Sequence, residues 1–188
     1  MEDPLTGIYD RKSLFSLVRR QIKLATQQSS RLGLLIIDIN DFGKLNNIYG
    51  YAVGDDLLRK FAGVLEEIRR PFDYTARIGD DRFALLLPNL LNPGHAELAA
   101  HKLHRLLEVP FAINSGLIRV SAKVGIAVCP DHATTSDNLI KEAERALYMA
   151  TRSQQPTYVF ADSGVEDISE LWDLEMELEN AFRSHQFE

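Results

Sequence analysis

The chain has 188 residues, 45% of them hydrophobic, and a net charge of -6, enough for one globular domain with a core of ordinary size. Val165 to Glu188 carry eight acidic residues against one basic while the rest is close to neutral, which excludes a basic nucleic-acid surface. A single cysteine, Cys129, excludes an internal disulfide; with no signal peptide and no apolar run near about 18 residues, the expected location is cytoplasmic, an anchor elsewhere in a longer parent being left open.

In chain order, Lys12 to Gln28 place Leu14, Leu17, Val18 and Ile22 at helical spacing. Leu32 to Asp38 form a continuous apolar run that ends in a carboxylate, the pattern of a strand covered on both faces. Asp41 to Tyr49 predict a short helix and Asp55 to Ile68 a longer one, with Leu57, Leu58, Phe61, Leu65 and Ile68 on one stripe. Tyr74 to Ile78 and Phe83 to Leu87 read as strands joined by a Gly79-Asp80-Asp81 turn. A helix follows over Pro93 to Leu107, with Pro93 in its first turn. Ile118 to Cys129 predict one or two strands, and Asn138 to Arg152 a helix capped by Ser136 or Asp137. Thr157 to Phe160 make a last short strand. The expected fold class is α/β (α+β): a mixed, mainly antiparallel five-stranded sheet flanked by helices, over residues 1–162. Residues 163–188 repeat Ile168, Leu171, Trp172, Leu178 and Phe182 at three- and four-residue steps amid acid, an amphipathic helix in need of a partner surface.

Two acidic strand ends carry the chemistry. Asp38 closes the buried run and Asp81 sits at the hairpin tip; if the strands are neighbours, their carboxylates converge beside the Ile39 carbonyl. Such oxygens suit Mg²⁺, which keeps its remaining positions for water and phosphate. The plain alternative is a solvated turn, because Asp and Gly favour turns for backbone reasons. His101 and His104 stand three apart on a helix without a partner to complete a metal set, and read as structural. Cys129, inside an apolar strand, reads as inert.

Several separated motifs, in order, resemble a GGDEF domain, the diguanylate cyclase family of bacterial signalling that joins two GTP molecules into cyclic di-GMP. They are Asp3-Pro4-Leu5-Thr6-Gly7, Asp38-Ile39-Asn40-Asp41-Phe42 with Asn46, Tyr49-Gly50 and Gly54-Asp55, Ala76-Arg77-Ile78, and Ala146-Leu147-Tyr148-Met149-Ala150. The resemblance implies a nucleotidyl-cyclase-like fold, with Asp38, the Ile39 carbonyl and Asp81 as ligands of Mg²⁺ or Mn²⁺ when nucleotide binds. It implies that Asn46 and Asp55 read guanine; otherwise they are a helix-end polar residue and an N-cap. Arg70 and Asp73 match an Arg-x-x-Asp that binds cyclic di-GMP and inhibits the enzyme; otherwise Arg69-Arg70 balance a helix dipole and Asp73 is an ordinary loop residue.

The departures from the family pattern weigh more. The signature Gly-Gly-(Asp or Glu)-Glu-Phe reads Gly79-Asp80-Asp81-Arg82-Phe83. Asp80 adds bulk and charge where the backbone should approach a triphosphate, and Arg82 puts a fixed cation in the glutamate's place. Gly43 stands where a phosphate-contacting lysine belongs, and Thr151 and Gln155 where basic residues do. The expected function is therefore an inactive regulatory domain that binds GTP or cyclic di-GMP. A slow cyclase and a dimerisation scaffold without nucleotide are the alternatives, and the family's facing dimers leave a homodimer open. Residues 174–182 and Phe187-Glu188 resemble the lead-in to an EAL phosphodiesterase domain, which makes a downstream EAL-like domain the expected partner.

Overall fold

The apolar run after the first helix lies at the centre of the sheet. The computed structural model describes residues 1–114 and 116–159. In order they form α1 (Arg11–Gln28), β1 (Arg31–Ile39), α2 (Phe42–Tyr49), α3 (Tyr51–Ile68), β2 (Tyr74–Arg77) and β3 (Arg82–Leu90). Then come α4 (Gly94–Leu107), β4 (Phe111–Ile113), β5 (Gly116–Ile118), β6 (Ala122–Cys129), α5 (Ser136–Ser153) and β7 (Thr157–Val159). The main sheet has five strands in the order β2-β3-β1-β6-β7. All its pairings are antiparallel except β6 with β7. The acidic segment over 163–188, with Trp172, lies outside the described residues, as does Phe160.

Side-chain alternation explains why β1 is apolar throughout. Leu35, Ile37 and Ile39 join a core with Leu57, Phe61 and Leu65 of α3 and Ala96, Ala100 and Leu103 of α4. Leu32, Leu34 and Ile36 face the other way, into a core with Leu14 and Val18 of α1 and Leu139, Ala143 and Leu147 of α5. A strand with helices on both faces has no solvated side to mark with polar residues. Asp38, two residues beyond Ile36, thus lies on the α1/α5 side.

Gly125 sets the spacing between α5 and the sheet. A Cβ built there would stand 2.1 Å from the backbone nitrogen of Leu147 and 2.4 Å from the carbonyl of Ala143, so α5 rests on β6 through bare backbone.

Several boundaries differ from expectation. α3 starts at Tyr51 rather than Asp55, because Gly50, at φ +89°, ends α2 and starts α3 with one residue between them. α5 is capped by Thr135, which accepts from the Asn138 N–H, not by Ser136 or Asp137. Pro93 is the N-cap of α4, just outside the helix. β3 runs past Leu87 to Leu90; the one or two strands expected over Ile118 to Cys129 are β6, and the β4–β5 hairpin ahead of it meets that range only at Ile118.

Candidate functional site

Neighbouring strand ends bring the acidic residues together. β1 and β3 pair so that Asp38 lies opposite Arg82, and β6 places Lys123 opposite Asp38 on its other side. The Arg82 carbonyl accepts from the N–H groups of Ile78 and Gly79, at 2.8 and 3.1 Å, which closes the Gly79-Asp80-Asp81 turn. The Asp81 carbonyl accepts from the Ile39 N–H at 3.1 Å, so Asp38, Ile39 and Asp81 share one end of the sheet. The opening motif braces this turn. Arg77 donates to the Asp80 carbonyl at 2.9 Å and pairs with Asp3 at 3.2 Å. Asp3 also accepts from the Thr6 backbone and hydroxyl. Burial alone would raise the Asp3 carboxyl, but Thr6 and Arg77 outweigh it and hold the group below the ordinary value.

Arg82 does not point at open space. Its Nε donates to Asp38 Oδ1 at 3.0 Å and its Nη2 to Oδ2 at 3.1 Å, a two-pronged pair between side chains 38% and 30% exposed. Burial disfavours the guanidinium's charge, yet the hydrogen bonds and charge of Asp38 more than offset that and raise its pKa. Around it stand two further acids. Asp81 is raised by burial and then by repulsion from Asp38. Glu144 on α5 is raised by burial against the opposing pull of Arg82 and Arg11. Arg82 thus sits among three acids, Asp38, Asp81 and Glu144.

This geometry bears on the metal that the resemblance implies. A divalent ion at Asp38 needs the oxygens that Arg82 already holds. Among the described residues no group of three or more His, Cys, Asp or Glu side chains converges to hold an ion. With Arg82 in place, the residues present do not fit Mg²⁺ or Mn²⁺.

The residues expected to read guanine meet at the α2–α3 corner. Asn46, in the last turn of α2, has a buried Oδ1 without a hydrogen-bond partner among the described residues. That amide lies against Gly54: a Cβ there would stand 1.8 Å from Oδ1. Asp55 follows Gly54 inside α3, so it is not an N-cap. The Asn46 Oδ1 is thus turned onto Gly54, while the amide N–H donors of Asn46 and the half-buried carboxylate of Asp55 are the donor and acceptor types that a guanine edge can meet.

Arg70 and Asp73 form a separate, local pair between α3 and β2. Asp73 accepts from the Arg70 backbone N–H at 2.7 Å and from its guanidinium at 2.8 Å, and Arg70 Nη2 also donates to the Pro88 carbonyl at 2.7 Å. The Asp73 side chain is 2% exposed and the Arg70 side chain 45%. Asp73 is accordingly no ordinary loop residue. A cavity of about 220 Å³ adjoins the pair, lined also by His95, Leu98 and Lys102, and Phe72 between the two residues is 76% exposed.

His104 is structural, as its spacing implies: its Nε2 and the Thr157 Oγ1 of β7 lie 2.7 Å apart, which ties α4 to the sheet. Burial at that contact raises the cost of the imidazolium, and His101 and Lys123 add to it, so the His104 pKa is lowered. Cys129 is buried, and burial followed by the charge of Asp131 raises its thiol pKa. Two residues, Lys123 and Glu144, and the packing role of Gly54 are not read from the sequence. Each left a trace, as a cation in an apolar strand, an acid between inward-facing Ala143 and Ala146, and a helix-interior glycine, which costs stability unless something packs on it.

A mainly antiparallel sheet between two helix pairs, with aspartates at adjoining strand ends, defines a nucleotidyl-cyclase-like α/β domain. The family described as diguanylate cyclase, GGDEF domain, matches residues 1–156, and the chain belongs to it. Among its relatives is the bifunctional diguanylate cyclase/cyclic di-GMP phosphodiesterase MucR of Pseudomonas aeruginosa, 31% identical over 184 residues, 95% of this chain and 27% of that protein. The cyclic di-GMP phosphodiesterase PdeR of Escherichia coli is 33% identical over 150 residues, 79% of this chain and 22% of that protein. The GGDEF domain of TpbB from Pseudomonas aeruginosa superposes with a TM-score of 0.83 at 28% identity, over 86% of this chain and 95% of that one. The chain spans between 22% and 35% of the length of the curated relatives MucR, TpbB and PdeR. No helix among the described residues is long and apolar enough to cross a membrane.

Proposed function

We propose that this domain binds a guanine nucleotide without condensing it, and that occupancy biases an adjacent domain. The observation that carries the reading is Arg82, which stands where the family signature has glutamate and occupies both oxygens of Asp38. Gly43, Thr151 and Gln155 remove further phosphate-directed charge. Each charge-assisted contact is worth about 1.5–3 kcal/mol, so losing several lowers turnover by orders of magnitude. What favours retained binding is the corner of Asn46, Gly54 and Asp55, where an amide donor and a carboxylate stand side by side, the two group types that address a guanine edge.

Cyclic di-GMP is the second ligand of this reading, at Arg70. Asp73 holds the guanidinium in place from below, and the exposed half of the fork, beside Phe72, is free to meet phosphate or a purine face. The adjacent domain is the EAL-like one that the tail resembles. Alignment with MucR over 184 residues, a protein with cyclase and phosphodiesterase activities in its name, supports that assignment. Control of this kind requires the ligand to favour one conformation over another.

The test is calorimetry with GTP and with cyclic di-GMP, alongside incubation with GTP and Mg²⁺ or Mn²⁺ and analysis for cyclic di-GMP. Binding without product is the expected result. Multiple turnovers would establish a slow cyclase, and no heat with either ligand would leave only a scaffold. Arg70→Ala is expected to abolish cyclic di-GMP binding and spare GTP; unchanged affinity removes that site.

A further inference from the structure

Arg82 and Lys123 flank Asp38 in one row across β3, β1 and β6. Asp38 is the first carboxylate of the family's metal set, and here it sits in register between two cations, one of which grips both its oxygens. Arg82 is attached to the chain, planar and always charged, and it reaches Asp38 by the same two-pronged geometry with which guanidinium meets phosphate. Its Nη1 is not used by Asp38. Asp81 and Glu144 supply the remaining negative charge that keeps the guanidinium at this corner. A free divalent ion would have to displace the guanidinium and then sit beside it, which like charges oppose.

We infer that the nucleotide site takes its polyphosphate without a divalent cation, Arg82 standing where the metal would be. The inference rests on the reading that a guanosine polyphosphate binds here, and it specifies the form: the free anion, not its magnesium complex. It also makes Arg82 the residue that closes the site to metals, so that replacing it with the family's glutamate reopens a divalent seat among Asp38, Asp81 and the new carboxylate.

The experiment is calorimetric titration of GTP into the full chain, once in EDTA and once with excess Mg²⁺, paired with Mn²⁺ alone followed by the loss of its free electron paramagnetic resonance signal. Wild type is expected to bind GTP at least as tightly in EDTA as in Mg²⁺, and to leave the Mn²⁺ signal unchanged. Arg82→Glu is expected to bind Mn²⁺ and to need metal for GTP, with affinity rising about tenfold or more when Mg²⁺ is added. Arg82→Ala serves if four clustered carboxylates prevent folding, and is expected to lose affinity for metal-free GTP by about tenfold. A tenfold gain for wild type on adding Mg²⁺, or Mn²⁺ uptake by wild type equal to that of Arg82→Glu, overturns the inference while leaving nucleotide binding intact. No GTP binding in either buffer overturns both.

Discussion

The domain contains two arginine–aspartate pairs of nearly the same geometry and opposite consequence. Arg70 and Asp73 are three residues apart; the carboxylate is buried and the guanidinium half exposed. Arg82 and Asp38 are 44 residues apart, meet across two strands, and share their exposure about equally. In the first pair the acid serves as a mount and the cation is left half exposed, where the proposed reading has it meet a ligand. In the second the cation occupies the acid, and the acid is the group on which the family's chemistry depends. An ion pair prepares a site or closes it according to which partner is hidden.

The contrast can be broken by mutation, beginning with the largest effect. Asp73→Ala should cost about 2 kcal/mol of stability, because it strips a buried acceptor from the Arg70 N–H and guanidinium. Urea denaturation measures this, and a loss near zero would mean that the carboxylate is not the mount. Gly54→Ala should lower stability by about 1–3 kcal/mol by overpacking against the Asn46 amide. It should also weaken GTP binding while leaving cyclic di-GMP untouched; parallel losses of both ligands would show that the two sites are not separable. Arg82→Ala should change stability by no more than about 1 kcal/mol, since a pair with about a third of each side chain exposed is partly screened. A larger loss would place Arg82 in the structural class of Arg70.

The smallest expected effect is on pH dependence. His104 has a lowered pKa in the folded state, so the unfolded chain takes up its proton first as pH falls below the ordinary value of 6.5. Stability should therefore be complete above that pH and decline below it, and His104→Gln should flatten the slope in thermal melts across this range. A slope that persists unchanged in the variant assigns the decline to other groups.

Much of the architecture was legible because local pattern and tertiary role agree. The run from Leu32 to Asp38 is apolar at every position but Gly33 and the terminal Asp38, since helices cover both faces, and the stripe from Leu57 to Ile68 points one way because α3 has one core to meet. The hairpin turn at Gly79 was marked by its residues. Legibility failed where long-range geometry decides. The longer helix is expected to begin at Asp55, yet Gly50 joins two helices and Gly54 lies inside the second, where an amide packs against it. The approach of Asp38, Asp81 and Arg82 was foreseeable only as a condition on strand neighbours. That Arg82 turns to Asp38 depends on register between strands 44 residues apart, which side-chain patterns do not encode. Arg70 and Asp73 stand in the sequence as a motif, but only burial tells the hidden carboxylate from the half-exposed guanidinium.

The bare contact at Gly125 has a consequence for how such a domain can diverge. Even a methyl group at that position would collide with the peptide groups of Ala143 and Leu147, so a helix-borne acid, Glu144, is anchored to the sheet by a seam that tolerates no ornament. Substitutions can rewrite the charges of the signature loop, while the plank beneath them admits none. Lineages that lose catalysis should therefore drift at the hairpin and stand still at residue 125.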